Sequence, residues 1–373
     1  MPATRQSQSD VQSDEPIPLA PPPQRATISA TLAANEALAR KRREGIPVLP
    51  MAFGEAGLPV HPALGRELAA SVDHNAYGPV AGSVSLRNAA AGYWDRRGLP
   101  TDPGLMVCGP GSKALLFGLL LTLGGAVAVP RPSWVSYAAQ AGLAGAGAVF
   151  VPTRPGEGGV PDPALLADEA VRARAEGRDL RAVVVTIPDN PTGTMARPET
   201  VRGLCDVARD NGLVIISDEI YRDLVHDTTR TIPTPAAIAP ERTVVTTALS
   251  KNLALGGWRL GIARLPDSPF GHALRDELLG VVSEIWSSAP APIQEAAAYA
   301  FNEPPELVER IAQSRRLHAA VATAVADRFA AAGASVAPPQ AAFYVYPDLA
   351  PLRDHLAAAH QIRTGADLSL LLL

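Results

Sequence analysis

Three short apolar segments, each followed at once by polar residues, constrain the fold of this chain more than any other feature. The segments are Ala182–Ile187, Leu213–Ser217 and Thr243–Thr247, and a stretch with helical character, Pro198–Asn211, separates the first two. Strands that are apolar on both faces and alternate with helices are typical of a mainly parallel sheet covered by helices on both sides. We therefore predict an α/β fold built on such a sheet.

The same alternation extends to both sides of these three segments. Upstream, strands are predicted at Ala126–Pro130 and Ala148–Pro152, and a helix is predicted at Asp162–Glu176. Downstream, the apolar segment Leu260–Ala263 predicts an antiparallel strand at the edge of the sheet. The central part of the chain therefore supplies one sheet with its helices.

The two ends of the chain differ from this central part. Beyond about residue 270, long alanine-rich helices are predicted at His272–Phe301 and Pro304–Ala332, with one strand at Ala342–Tyr346. This pattern indicates a smaller C-terminal α/β domain. Residues 1–25 are rich in polar residues and proline, which predicts a disordered tail. A helix is predicted after it at Thr27–Glu44.

A glycine-rich turn at Val107–Lys113 precedes the apolar helix predicted at Ala114–Leu123. Ser112 is a suitable N-cap residue for that helix. The free N–H groups at a helix N-terminus bind phosphate readily, so the turn is a candidate anion site. Glycine turns before helices are common, and the pattern alone is weak evidence.

Polar residues follow each of the three apolar strands. Asn190 follows the first, Asp218 and Tyr221 follow the second, and Lys251 and Arg259 follow the third. The carboxyl ends of parallel strands lie at one edge of a sheet, so these side chains are expected to converge there. Taken singly, each has a plainer interpretation: a turn at Asn190, a helix cap at Asp218, a solvated loop at Lys251.

Lys251 is the best-placed nucleophile in the chain. Of 33 basic residues only three are lysines, namely Lys41, Lys113 and Lys251. Partial burial at a strand end lowers the pKa of a lysine and leaves an amine that can form a Schiff base. If the chemistry needs a primary amine, Lys251 is therefore the first candidate.

Composition excludes several classes of protein. The chain has 373 residues, a net charge of −4 and a pI near 6.0, which gives no reason to expect nucleic acid or an anionic membrane as partner. No apolar run reaches the ~20 residues of a membrane span. Two cysteines, Cys108 and Cys205, are too few for a disulfide framework, and we expect a cytoplasmic protein.

The combination of motifs resembles a known family. Asn190-Pro-Thr-Gly, Ser217-Asp-Glu-Ile-Tyr, Ser250-Lys and Trp258-Arg, at these spacings, resemble the class I pyridoxal-phosphate-dependent aminotransferases of fold type I. The resemblance runs from about Ala30 to the last residue. It implies pyridoxal 5′-phosphate as cofactor, no metal, and transfer of an amino group between an amino acid and a 2-oxo acid.

The resemblance also implies roles for individual residues. Lys251 would hold the cofactor as an aldimine and carry the proton, Asp218 would keep the ring nitrogen protonated, and Tyr221 with Asn190 would bind the ring oxygen. Other residues would hold the cofactor through its ring face or its phosphate: Ser112, Lys113, Trp134, Ser250, Arg259 and Tyr77, the last reaching from the neighbouring subunit of a homodimer. Gly54 and Asn190 would lie near the substrate carboxylate.

The same resemblance implies boundaries and leaves alternatives open. After the tail, residues 26–50 would form an N-terminal arm, 51–303 the large cofactor-binding domain, and 304–373 the small domain. Arg353 and Arg363 come too early to match the family's carboxylate-binding arginine, so we expect a truncated chain. The fold also serves β-elimination and decarboxylation. A catalytically impaired fragment or a binding-only homologue is a further alternative.

Overall fold

A computed structural model describes residues 29–49, 51, 54–145 and 147–372 of the chain. The predicted tail, residues 1–25, lies outside the described residues. The centre is a seven-stranded sheet. Its strands are β1 (Met106–Gly109), β2 (Ala126–Arg131), β3 (Ala148–Pro152), β4 (Leu180–Thr186), β5 (Val214–Asp218), β6 (Thr243–Ala248) and β7 (Gly261–Arg264). They are arranged in the order β1-β7-β6-β5-β4-β2-β3.

Five strands, in the sheet order β3, β2, β4, β5 and β6, run parallel. Strand β7 is antiparallel to both of its neighbours, β6 and β1. The predicted mainly parallel sheet is therefore confirmed. Side chains alternate between its faces: Val184 and Ile216 join one apolar cluster, whereas Val183 and Ile215 join another. Because both faces are buried, the strands read as continuous apolar runs.

Two details of the sheet differ from the sequence-based expectation. The strand at 261–264 is interior and not at the edge, because β1 pairs with its outer side. Met106–Gly109, which the sequence indicated only as part of a glycine turn, is that edge strand. All four of its residues are buried. Its partner, β7, lies far from it in the sequence, so no local sequence pattern predicts this pairing.

Helices cover both faces of the sheet. The α-helices of the described residues are α1 (Ala30–Arg43), α2 (Pro62–Ala70), α3 (Val84–Asp95), α4 (Ser112–Leu123), α5 (Ser136–Leu143), α6 (Pro163–Ala175), α7 (Pro198–Asp210), α8 (Pro235–Ile238), α9 (Leu249–Asn252), α10 (Pro269–Trp286), α11 (Ala291–Phe301), α12 (Pro305–Ala331), α13 (Arg353–His360) and α14 (Gly365–Leu372). Side chains of α4 and α10 pack on one face, and those of α6 and α7 on the other.

Local sequence explains individual helices. In α7, Pro198 occupies the first turn, where its missing N–H is not needed, and Val201, Leu204 and Ala208 repeat at helical spacing on the buried side. The helical segment predicted at His272–Phe301 is divided at its prolines into two helices, α10 and α11. Prolines at the start of α11 prevent one continuous helix, since a proline inside a helix lacks an N–H and clashes with the preceding turn.

The C-terminal region contains one confirmed prediction and one error. The capping box at Thr364 is present: Asp367 N donates to Thr364 Oγ1 at 3.1 Å, and Thr364 N donates to Asp367 Oδ2 at 2.8 Å. The strand predicted at Ala342–Tyr346 is absent, because Ala342 takes a left-handed φ of 58° and turns the chain. The small strands there are β8 (Ser335–Val336) and β9 (Pro347–Asp348). The assignment of residues 304–373 to a separate domain stays a prediction.

Candidate active site

Strands β4, β5 and β6 are neighbours and parallel, so their carboxyl ends open on one edge of the sheet. Thr186 at the end of β4 lies opposite Asp218, and Asp218 lies opposite Thr246 of β6. The segments that carry Asn190, Asp218 and Lys251 therefore leave the sheet side by side. Strand register brings these residues into one region, although they are far apart in the sequence.

Asp218 is the most enclosed of these residues. It is the last residue of β5, and its side chain is buried. Its Oδ2 accepts a hydrogen bond from the Tyr137 hydroxyl at 2.9 Å, and the same hydroxyl lies 2.8 Å from Thr186 Oγ1. Burial raises the pKa of Asp218 to about 6. Within the described part of the chain Asp218 forms no ion pair, and a buried carboxylate of this kind favours a positively charged ligand atom.

Asn190 and Tyr221 are joined directly. Asn190 Nδ2 donates to the Tyr221 hydroxyl at 3.3 Å, so the loop after β4 is linked to the segment after β5. Tyr221 is buried, and burial raises its pKa well above the usual value. Its hydroxyl lies 2.6 Å from that of Tyr344. Both donors and acceptors are thus available beside Asp218.

Lys251 lies in the short helix α9, directly after β6. The side chain is half-buried, and its Nζ donates to the backbone oxygen of Gly54. Burial lowers the pKa of the amine, against the opposing influence of the nearby carboxylates Glu55 and Asp218. A lowered pKa increases the neutral, nucleophilic fraction of the amine at neutral pH.

The start of α4 forms a second part of the region. Gly111, with a φ of 91°, is its N-cap, and Ser112 is the first helical residue; the prediction of Ser112 as N-cap is therefore wrong. A Cβ on Gly111 would lie 2.2 Å from Arg259 Nη2, and a Cβ on Gly261 would lie 2.3 Å from Ser112 N. Because both positions are glycine, Arg259 and β7 can approach the free N–H groups of the helix. This arrangement suits an anion such as phosphate.

Lys113 and Trp134 lie beside this helix start. Lys113 Nζ is 4.9 Å from the centroid of the Trp134 ring, and Trp134 contacts Tyr137 edge-on at 5.3 Å. Burial, and then the nearby Arg259, lower the pKa of Lys113. A cavity of about 280 Å³ lies between these two cations and the apolar side chain of Phe117.

Not every predicted residue takes part in this cluster. Tyr77 projects into solvent with 92% of its surface exposed, so within one chain it does not reach the other site residues. Ser250 is buried in α9 after β6. Sequence reasoning missed Tyr137 and Tyr344, which contact Asp218 and Tyr221. The only signal for Tyr137 was its place three residues after Trp134, and Tyr344 lay in a segment assigned to a strand.

Comparison with known proteins identifies the family. The family model described as aminotransferase class I and II matches residues 52–367. The chain belongs to this family. It is similar to the probable aspartate/prephenate aminotransferase of Thermus aquaticus, with 32% identity over 87% of this chain and 82% of the relative. It is also similar to the aspartate/prephenate aminotransferase of Thermus thermophilus, with 32% identity over 90% of this chain and 85% of the relative.

Solved structures agree with this assignment. The aspartate aminotransferase of Thermus thermophilus with maleate superposes with a TM-score of 0.78 and 28% identity, covering 89% of this chain and 86% of that one. The fold type I architecture and the resemblance inferred from the motifs are confirmed. The protein is a pyridoxal-phosphate-dependent aminotransferase, and it transfers an amino group between an amino acid and a 2-oxo acid.

The side chains of this aminotransferase fit the cofactor chemically. Asp218, a buried carboxylate that forms no ion pair with any described residue, suits a protonated ring nitrogen. The Asn190–Tyr221 pair suits a ring oxygen, and the α4 N-terminus with Arg259 suits a phosphate. Among the described helices, none combines the length and the apolar character of a membrane-spanning segment.

Proposed function

We propose that the cofactor site lies at the carboxyl ends of β4, β5 and β6, and that Lys251 is the residue that binds pyridoxal phosphate covalently. One observation carries the proposal: Asp218, the Asn190–Tyr221 pair and Lys251 leave three adjacent parallel strands at one edge of the sheet. When bound, the cofactor supplies an aldehyde that condenses with a primary amine and a ring that takes up electrons from the substrate Cα.

Asp218 holds the proton on the ring nitrogen in this proposal. Its carboxylate is poorly solvated, so an ion pair with a protonated nitrogen is strongly favoured over the charged group alone. Tyr137 orients the carboxylate through its 2.9 Å hydrogen bond. Tyr221 and Asn190 bind the ring oxygen, and Trp134 covers the ring face.

The phosphate is held at the start of α4 by backbone N–H groups and by Ser112, Lys113, Ser250 and Arg259. Arg259 supplies a planar, permanently charged donor set, which suits phosphate. Gly54 and Asn190 lie near the substrate carboxylate. In this arrangement the cofactor is fixed at both ends, so its reactive carbon stays beside Lys251.

Lys251 moves the proton. An incoming amino acid displaces the Nζ of Lys251. The neutral Lys251 amine can then take the proton from the substrate Cα and deliver it to C4′ of the cofactor. Burial supports this role, because the lowered pKa keeps part of the amine neutral. The hydrogen bond from Nζ to Gly54 O supports a resting position for the free amine beside Gly54.

We propose an acidic amino acid, of the aspartate type, as one substrate. Relatives that are 32% identical are named aspartate/prephenate aminotransferases, and one structural neighbour was solved with maleate, a dicarboxylate. We further propose a cytoplasmic homodimer. The free, buried cysteines fit a reducing compartment, and the exposure of Tyr77 supports a contact with a partner.

Borohydride reduction followed by peptide mapping tests the assignment of Lys251. The label is expected on Lys251 alone, and the other two lysines, Lys113 and Lys41, serve as internal controls. A label on either of them, or on no lysine, would refute the proposal. Lys251→Ala should abolish the covalent label while leaving cofactor binding through the phosphate measurable.

The substrate and the dimer have separate tests. The absorbance of the bound cofactor is followed while single amino acids are added, and aspartate or glutamate should convert it faster than alanine or leucine does. Equal or slower conversion by the acidic amino acids would refute the substrate proposal.

Mixing inactive Tyr77→Ala and Lys251→Ala chains should restore activity in hybrid dimers, whereas a cofactor-loaded monomer would refute shared sites.

A further inference from the structure

Residues 340–344, which we name the strap, lie across the carboxyl ends of β4 and β5. The backbone N–H groups of Gln340 and Ala341 both donate to Gly193 O, at 2.8 and 3.0 Å. Ala342 N donates to Leu224 O at 2.9 Å. The strap is therefore bonded to the loop after β4 and to the segment after β5, the two segments that carry Asn190 and Tyr221.

This attachment places Tyr344 against the proposed cofactor site. Its hydroxyl lies 2.6 Å from the Tyr221 hydroxyl, and the two rings meet edge-on at 5.4 Å. A Cβ on Gly54 would lie 2.3 Å from the Tyr344 hydroxyl, and a Cβ on Gly193 would lie 2.6 Å from Tyr344 O. Tyr344 is thus enclosed between two glycines, and the first of them also accepts the hydrogen bond from Lys251.

The hydrogen-bond capacity of Tyr221 decides what Tyr344 does. A phenol oxygen accepts up to two hydrogen bonds and donates one. Asn190 Nδ2 is a donor and occupies one acceptor position of Tyr221. If the Tyr344 hydroxyl donates to the second acceptor position, Tyr221 accepts no further hydrogen bond and can only donate its own O–H to a ligand. If Tyr221 instead donated to Tyr344, it could not donate to a ligand.

We propose that Tyr344 is a positioning residue for the aminotransferase reaction: its hydroxyl donates to Tyr221 and so directs the Tyr221 O–H toward the ring oxygen of the bound cofactor. The inference rests on the proposed function of this site. It assigns Tyr344, a residue of the C-terminal region, to the hydrogen-bond chain Asn190–Tyr221–Tyr344. Because the strap carries Tyr344, the bond at the ring oxygen depends on where the strap lies.

The consequence is measurable without turnover. A hydrogen bond donated to a negatively charged oxygen stabilises that form and lowers the pH at which the bound cofactor titrates. A phenol that itself accepts a hydrogen bond is a stronger donor, because neighbouring hydrogen bonds polarise one another. Losing the Tyr344 hydroxyl should therefore raise the titration midpoint.

The test is a pH titration of cofactor absorbance in the loaded protein. Tyr344→Phe is expected to raise the midpoint by about 0.3 to 1 pH unit, the size expected for one modest hydrogen bond. Tyr221→Phe should raise it further, and the double variant should match Tyr221→Phe alone. Tyr346→Phe is the matched control. Tyr346 lies two residues after Tyr344 and its side chain is exposed, so the substitution should leave the midpoint unchanged.

Three outcomes would overturn the proposal. A Tyr344→Phe midpoint equal to that of the unsubstituted protein, with Tyr221→Phe shifted, would refute the role of Tyr344 and leave the proposed function standing. Fully additive shifts would mean that Tyr344 acts without Tyr221. No shift in Tyr221→Phe would overturn both this inference and the cofactor site on which it rests.

Discussion

Replacing Asp189 with asparagine should remove a large part of the pH dependence of stability. Asp189 precedes Asn190, and its side chain is fully buried. Its Oδ2 accepts hydrogen bonds from Thr192 N at 3.2 Å and from Thr192 Oγ1 at 2.5 Å. Its Oδ1 has no partner within the described ranges. Asparagine can keep the accepted bonds through its own oxygen and carries no charge.

The magnitude follows from the pKa. Burial raises the pKa of Asp189 from 3.8 to about 7, against the hydrogen bonds from Thr192. The folded state therefore holds a proton that the unfolded state has lost, and stability falls as the pH rises from about 4 to about 7. The pKa difference between the folded and unfolded states spans roughly three pH units, and about two of them lie above pH ~5. At ~1.36 kcal/mol per unit, the loss between pH ~5 and pH ~8.5 is at most about 2.7 kcal/mol.

Urea unfolding of cofactor-saturated protein at about pH 5 and about pH 8.5 measures this loss. The unfolding free energy of Asp189→Asn, relative to the unsubstituted protein, should rise between the two pH values by about 2 kcal/mol, and by no more than about 2.7 kcal/mol. Asp227→Asn is the control. Its exposed carboxyl has a pKa lowered by hydrogen bonds from Thr229, so it stays ionised in this range and should add no pH dependence. If Asp189→Asn and the unsubstituted protein lose stability in parallel, the buried carboxyl does not titrate as argued.

Three further predictions concern the site. Asp218→Asn should keep the cofactor bound but slow single-turnover proton abstraction by at least about 10²-fold, and a near-normal rate would contradict the proposed charge partner. Tyr137→Phe removes the hydrogen bond to Asp218 and should lower the free energy of unfolding by about 1–2 kcal/mol in urea; unchanged stability would contradict this. Gly261→Ala should weaken cofactor affinity in a binding titration, because its Cβ would meet Ser112 N at 2.3 Å. Gly257→Ala, with open space around it, should bind normally.

Patterns confined to a short stretch of sequence predicted the elements well. The strand Ala148–Pro152 has the predicted bounds, and the capping box at Thr364 is present. In both cases neighbouring residues carry the physical cause: runs of apolar, β-branched residues favour a buried strand, and a side chain caps a backbone N–H three residues away. The family motifs follow the same strands, so the sequence also located the candidate residues Asn190, Asp218 and Lys251.

The tertiary structure decided what depends on residues distant in the sequence. Met106–Gly109 becomes an edge strand only because β7 pairs with it. Ala342 turns the chain with a left-handed φ at the point where its N–H bonds to Leu224 O. Tyr137 and Tyr344 enter the site through hydroxyl contacts across the fold. A pattern of apolar residues specifies which side of an element is buried, but it does not specify its neighbour. The hydrogen bonds and raised pKa values at this site arise from that neighbour and from the loss of water around it.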